Sequence, residues 1–151
     1  MKRAFKVLCV LAITISLLGG CAITTIKKPS DFFPFTKGST WQYKGEGNEY
    51  ASFSREVVFT LESNENLIVL KAPLEVGTKW EHSTETREIV DVNTTVDTPA
   101  GKFENCVVVK IIFPNSTLFE YFKDGVGMVK REFRSGDSQV TSILEKFSVN
   151  S

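Results

Sequence analysis

Histidine and cysteine are nearly missing from this chain. One His and three Cys stand among 151 residues. A single imidazole leaves no ligand set for a structural zinc site, and three thiols cannot build a disulfide framework. A surplus of either charge is missing too, because 18 basic side chains balance 18 acidic ones. That balance argues against a nucleic-acid surface. No stretch after residue 31 sustains a 3.6-residue apolar period, so amphipathic helices are not expected. No apolar run reaches the ~20 residues of a spanning helix. What is present is ordinary for one globular domain, with 42% hydrophobic and 24% charged residues.

The first twenty residues read as an address. Lys2, Arg3 and Lys6 precede an apolar run from Val7 to Leu18, and Leu18-Gly19-Gly20-Cys21 follows. A charged start, a short apolar stretch and small residues at the cut form a secretory signal pattern. Leu18-Gly19-Gly20-Cys21 also resembles the lipobox of bacterial lipoproteins. The resemblance implies cleavage before Cys21 and acylation of that residue, with palmitate-type chains. More than one acyl chain makes such an anchor stable. The expected organisation is a signal peptide over 1–20, a lipidated N-terminus and tether over 21–31, and a single β domain over 32–151. The mature chain would carry 15 bases against 18 acids, a side-chain charge of −3. In the tether, Lys27-Lys28 reads as a solvated pair, within reach of anionic headgroups at ~1 kcal/mol per charge. Cys106 would be the one free thiol. Followed by Val107-Val108-Val109, it reads as a buried strand residue.

The rest reads as β. Short runs rich in Val, Ile, Thr, Phe and Tyr are expected as strands at 40–46, 50–62, 66–71, 79–97, 103–113, 117–123, 127–134 and 138–148. Turn residues divide them: Gly45 to Asn48, Ser63 to Asn66, Pro99-Ala100-Gly101, Pro114-Asn115-Ser116, Asp124-Gly125 and Ser135-Gly136-Asp137. Links this short favour antiparallel neighbours. Alternation places Val57, Phe59 and Leu61 on one face, and Leu118, Glu120 and Phe122 together opposite Phe119 and Tyr121. In 106–113 both faces are apolar, so that strand must be covered twice or line a cavity. The expected fold is all-β, an antiparallel meander of about eight strands curled into a barrel-like or strongly bent sheet. A two-sheet sandwich is the alternative.

One segment occurs twice. Pro34-Phe35-Thr36-Lys37-Gly38-Ser39-Thr40-Trp41 aligns with Pro73-Leu74-Glu75-Val76-Gly77-Thr78-Lys79-Trp80, 39 residues later. Each copy reads as a loop opening a strand, with Gly in a left-handed turn and Trp early in the strand, capping one end of the core.

These residues carry a second resemblance. Phe33 to Tyr43 resembles the "PLxxGxxWxY" opening of a group of uncharacterised bacterial lipoproteins that repeat part of it midway. Pro99 to Cys106 resembles the group's "PAGxFxNC" segment, and Gly125 to Lys130 its "GVGxVK" segment. The pattern departs at Phe35, where Leu is usual, and at Lys123-Asp124, where Ala-Pro is common. The resemblance implies an extracytoplasmic β-rich domain, lipid-anchored to the cell membrane, at the outer face of the plasma membrane if the envelope is Gram-positive. It carries no activity and no catalytic residue.

Chemistry is hard to assemble. His82 stands among Glu81, Ser83, Thr84 and Glu85, without a nucleophile elbow. Asp91, Asp97, Glu104 and Asp124 follow no calcium-loop spacing. Gly125-x-Gly127 precedes no helix pattern, which removes a dinucleotide reading. No catalytic residue, metal or cofactor is expected, and the chain is read as a non-enzyme. Aromatics are the better lead. Phe33, Phe35, Trp41, Trp80, Tyr121 and Phe122 are the candidate walls of an apolar ligand site, although a small β core needs such side chains anyway. The expected function is a non-enzymatic binding or accessory lipoprotein that meets the membrane through Cys21 and holds an apolar ligand or an envelope partner protein. A purely structural envelope protein without a pocket is the alternative, and paired-carboxylate hydrolysis is a third reading.

Overall fold

The structure is a computed structural model that describes residues 26–34, 36–47, 51–56, 68–82 and 84–150. The signal segment 1–20, Cys21, Phe35, Ser83, the 63–66 turn and the Val57, Phe59, Leu61 face lie outside the described residues. Among the described residues eight strands follow a 3-10 turn at Pro29–Phe32: β1 (Thr40–Glu46), β2 (Phe53–Glu56), β3 (Lys79–His82), β4 (Glu85–Thr98), β5 (Gly101–Phe113), β6 (Ser116–Lys123), β7 (Gly127–Ser135) and β8 (Ser138–Ser148). They form one sheet in the order β2-β1-β8-β7-β6-β5-β4-β3, and every pairing is antiparallel. The expected all-β meander is therefore what forms, as one sheet in place of the sandwich. Strands β3 to β8 pair with their sequence neighbours, and β1 then inserts between β8 and β2. Among the described residues no helix is long and apolar enough to cross a membrane.

Two expected strands differ. The run 79–97 is two strands, because His82 pairs with Glu85 across a two-residue link. That link contains neither Gly nor Pro, so nothing in the sequence marks it. Residues 68–71 are not a strand. Leu70 is instead buried, and the Ile68 carbonyl accepts a hydrogen bond from the Trp80 indole at 2.7 Å. The apolar run there serves loop docking rather than sheet pairing. Of the expected strand 50–62, Phe53–Glu56 is strand and 57–62 lies outside the described residues.

Bulges curl the sheet. The β4–β5 register shifts between Ile89 and Asp91, between Asp91 and Thr94, and between Thr94 and Val96. Opposite them, Asn105 takes φ 55. Each irregularity bends its strand and adds twist. The hairpin tip thereby reaches across the order to β8. The Ala100 N–H donates to the Leu144 carbonyl at 3.1 Å, and the Phe103 ring meets Phe147 edge-on at 6.1 Å. Strand β4 also touches β7.

The core lies within this curl. Phe32, Ile89, Val109, Ile111, Phe122, Val129 and Leu144 are all within 2% of full burial, each worth about 1.5–3 kcal/mol of transfer free energy. Strand β5 is buried on both faces from Cys106 to Val109, which matches its doubly apolar pattern. Cys106 is fully buried. Burial pushes its thiol up to about 11, so the inert reading of this residue fits its place.

Glu120 faces inward with Phe122, as alternation required. Its Oε1 accepts from Arg131 Nη2 at 2.7 Å and Nε at 3.1 Å. Its Oε2 stands 3.6 Å from Arg87 Nη1, and Arg87 Nε donates to Glu85 at 2.5 Å. Two cations and two anions cancel, with Arg87 and Glu120 both buried. Such a network adds little net stability, but removing one member leaves an uncompensated buried charge.

The duplicated segment makes the same turn over Thr36–Trp41 and Glu75–Trp80. Ser39 N–H donates to Thr36 O at 3.0 Å, and Thr78 N–H to Glu75 O at 3.1 Å. Gly38 at φ 83 and Gly77 at φ 93 occupy matching positions in these turns, where a Cβ would be strained. Each Trp is the second residue of its strand and is buried. Each indole N–H donates to a main-chain carbonyl, Trp41 to Val126 at 2.6 Å and Trp80 to Ile68 at 2.7 Å. Each Trp also pairs across its sheet with an Arg, Trp41 with Arg55 and Trp80 with Arg87.

The N-terminal segment is docked. Phe32 is 1% exposed, the Asp31 carbonyl accepts from Gly125 N–H at 2.6 Å, and Lys27 Nζ meets Asp124 at 2.9 Å. Lys27, expected to be solvated, is thus an ion-pair partner of the β6–β7 turn. Burial works to raise the Asp124 carboxyl, but Lys123 and Lys27 outweigh it and hold the group below its ordinary range.

Candidate functional site

Clefts open on the described surface. The first lies between the bent half of β4 and strands β6, β7 and β8. It has a volume of about 480 Å³ and is lined by Thr94 to Asp97, Tyr121, Lys130, Gln139, Thr141, Ile143 and Glu46. The bulges of β4 build one wall, because they swing Thr94 to Asp97 over the neighbouring strands. The first of these bends is pinned locally, where the Asp91 carboxylate accepts the Asn93 N–H at 2.8 Å. That hydrogen bond, foremost, holds the Asp91 carboxyl below its ordinary range.

The other wall follows from register. Tyr121 pairs with Lys130 and Lys130 with Ile143, so one row of the sheet crosses the cleft floor. The Lys130 ammonium lies 5.0 Å from the Tyr121 ring centroid and 2.9 Å from Glu132. Burial, then the nearby Glu132, raises the Tyr121 phenol above its usual value. Burial alone would also raise the Glu132 carboxyl, but Lys130 and Arg134 draw it below the usual range. Next along the strand, Arg134 stands 4.9 Å over Phe119. The cleft therefore offers three threonine hydroxyls, one amide, two carboxylates and an ammonium around a half-buried aromatic ring. That set suits a polar ligand with one stacking surface.

The second cleft lies over the start of β1. It measures about 620 Å³ and is lined by Thr40, Trp41, Gln42, Ser54, Arg55, Lys146, Phe147 and Ser148. Two cations and no acid stand in that lining.

The candidate aromatics do not gather into one site. Tyr121 lines the first cleft and Trp41 the second. Phe122 is buried in the core, with the Phe33 ring 5.5 Å away. Trp80 is buried on β3, at the far edge of the sheet, and Phe35 lies outside the described residues. His82 is half-buried on that same edge strand. Among the described residues no three His, Cys, Asp or Glu side chains gather as a metal site. Sequence reasoning missed Thr94, Thr95, Asp97, Lys130 and Thr141. Only the register and the β4 bulges bring them together.

No family model matches the chain, and no curated protein does. Two solved structures show partial likeness. One is a Bacteroides fragilis protein described as exported and as having a YmcC-like fold, 27% identical, with a TM-score of 0.33. The overlap covers 42% of this chain and 35% of that one. The other is a protein of Parabacteroides distasonis described as a lipoprotein, 22% identical, with a TM-score of 0.30. There the overlap covers 42% of this chain and 37% of the other. The chain thus spans little more than a third of either neighbour.

Proposed function

We propose that this chain is a lipid-anchored cell-envelope protein, extracytoplasmic and held to the membrane through Cys21, with a non-enzymatic binding or accessory role. The cleft between β4 and β6–β8 carries the reading, since its bulged wall and mixed lining form a ready place for a small ligand or a segment of a partner protein. The lining leans polar, which shifts the ligand from the apolar molecule first expected towards one rich in hydroxyl or amide groups. The aromatics that suggested an apolar site are mostly committed elsewhere, with both indole N–H groups already bonded to main chain.

Native mass spectrometry of the mature chain, released from its own membranes in mild detergent, tests this. Added mass beyond the acyl chains, lost on denaturation and lost in Tyr121→Ala, is the expected result. A mass equal to the acylated chain alone would favour the purely structural reading. One observation supports that second reading: among the described residues no strand pairs with the outer edge of β3.

A further inference from the structure

We propose that the end of the sheet carrying the N-terminal tether is a docking face for anionic phospholipid headgroups. The proposal rests on the anchored reading above. Because the strands alternate in direction, the 124–126 turn, the 99–100 turn, the start of β1 and the end of β8 share one end of the sheet. The 114–115 and 136–137 turns share the other. Strand β7, of nine residues, separates the two ends by about 30 Å.

The anchor is held at the first end. From Cys21 to Ile26 the chain reaches at most about 18 Å. Beyond that point it is bonded, through Lys27 to Asp124, Asp31 to Gly125 and the buried Phe32. A docked tether cannot swing the opposite end to the bilayer. Ile26, the first described residue, is 85% exposed.

Charge at this end matches an anionic surface. The second cleft holds Arg55 and Lys146 with no acid in its lining. Lys28 and Lys37 are exposed there, and neither forms an ion pair with a described residue. Three of the acids nearby are engaged, while Asp97, exposed beside the 99–100 turn, forms no ion pair with a described residue. Asp31 accepts the Lys28 N–H at 2.8 Å, Asp124 meets Lys27 and Lys123, and Glu104 meets Lys102. The 114–115 and 136–137 turns at the opposite end carry one acid, Asp137, and no base. Cations held within a Debye length of about 8–10 Å of anionic headgroups are attracted to them.

The test uses the mature acylated chain with one spin label, at Thr36→Cys or at Asp137→Cys. Both positions are exposed, and the buried Cys106 stays unlabelled. Vesicles are phosphatidylcholine alone or with phosphatidylglycerol, and carry gadolinium on a headgroup. Flotation reads the anchor first, and a chain that fails to float overturns both the anchored reading and this proposal. In floating chains, relaxation enhancement is expected to be severalfold greater at 36 than at 137 with phosphatidylglycerol present. Arg55→Glu with Lys146→Glu should cut that difference by about half or more. Equal enhancement at both labels, or a difference untouched by the double variant, overturns the docking face while the anchor stands.

Discussion

The two tryptophan segments use one local design for different ends. Trp41 and Trp80 share turn, left-handed Gly, strand position, buried indole and cross-strand Arg. Trp41, however, reaches 85 residues along the chain to Val126, and joins the tether, β1 and the β6–β7 turn. Trp80 reaches 12 residues to Ile68, and pins a loop to an edge strand. The arginines are inverted as well. Arg55, opposite Trp41, is exposed, while Arg87, opposite Trp80, is buried beside Glu120. A repeated sequence therefore specifies a local shape, and the place of its strand in the sheet decides what that shape supports.

The contrast can be pressed by substitution. Trp41→Ala should lose about 4 kcal/mol in urea unfolding, because it empties a site shared by three segments. Trp80→Ala should lose less, and a loss equal to that of Trp41→Ala would erase the distinction. Arg87→Ala should cost about 3 kcal/mol by leaving Glu120 and Glu85 under-compensated. Arg55→Ala should stay within about 0.5 kcal/mol, and thermal melts of the pair would show the gap. Gly38→Ala and Gly77→Ala should each cost about 1–2 kcal/mol for the left-handed backbone. Gly38→Ala should cost more, since its Cβ would sit 2.9 Å from Asn150 Nδ2, whereas Gly77 has open space. The smallest effect is acid release of the tether. Asp124 is depressed below its ordinary 3.8, so its contribution is complete above about pH 4 and fades as pH falls through the lower folded value. With that side chain 29% exposed, Asp124→Asn should cost no more than about 1 kcal/mol. The protection factor of the Gly125 amide, with intrinsic exchange divided out, should then become insensitive to acid over that window, and an unchanged acid response would separate the N-terminal segment from this ion pair.

Much of the sheet was legible. Strands β1 and β8 fall at the expected residues, because Gly, Pro, Asn and Asp mark their limits. The β3–β4 break was not legible, since the link between His82 and Glu85 has no residue that demands a turn. The 66–71 run misled because Leu, Ile and Val report apolar burial without saying whether the backbone pairs. The cleft between β4 and β6–β8 was least legible. Tyr121 was singled out for its ring, but Thr94, Lys130 and Thr141 lie on three strands and look like ordinary polar alternation. Their meeting depends on bulges, and a sequence pattern of period two carries no record of those. Trp80 and Phe122 are buried in the core, and the sequence does not distinguish that place from a ligand wall, since a large apolar side chain reads alike in both.

The position of β1 between β2 and β8 sets an order of assembly. Strands β3 to β8 close through neighbouring hairpins with short loops, which form early and cheaply. Strand β1 is synthesised first, yet its inner partner is the last strand to be made. Phe32 and Trp41 must likewise wait for the 124–128 turn. The N-terminal part therefore leaves the ribosome with Phe32 and Trp41 uncovered, and only the arrival of residues 141–148 lets β1 be covered. Truncation near the C-terminus would thus strand the opposite terminus, leaving a chain with a formed meander and an unplaced first strand.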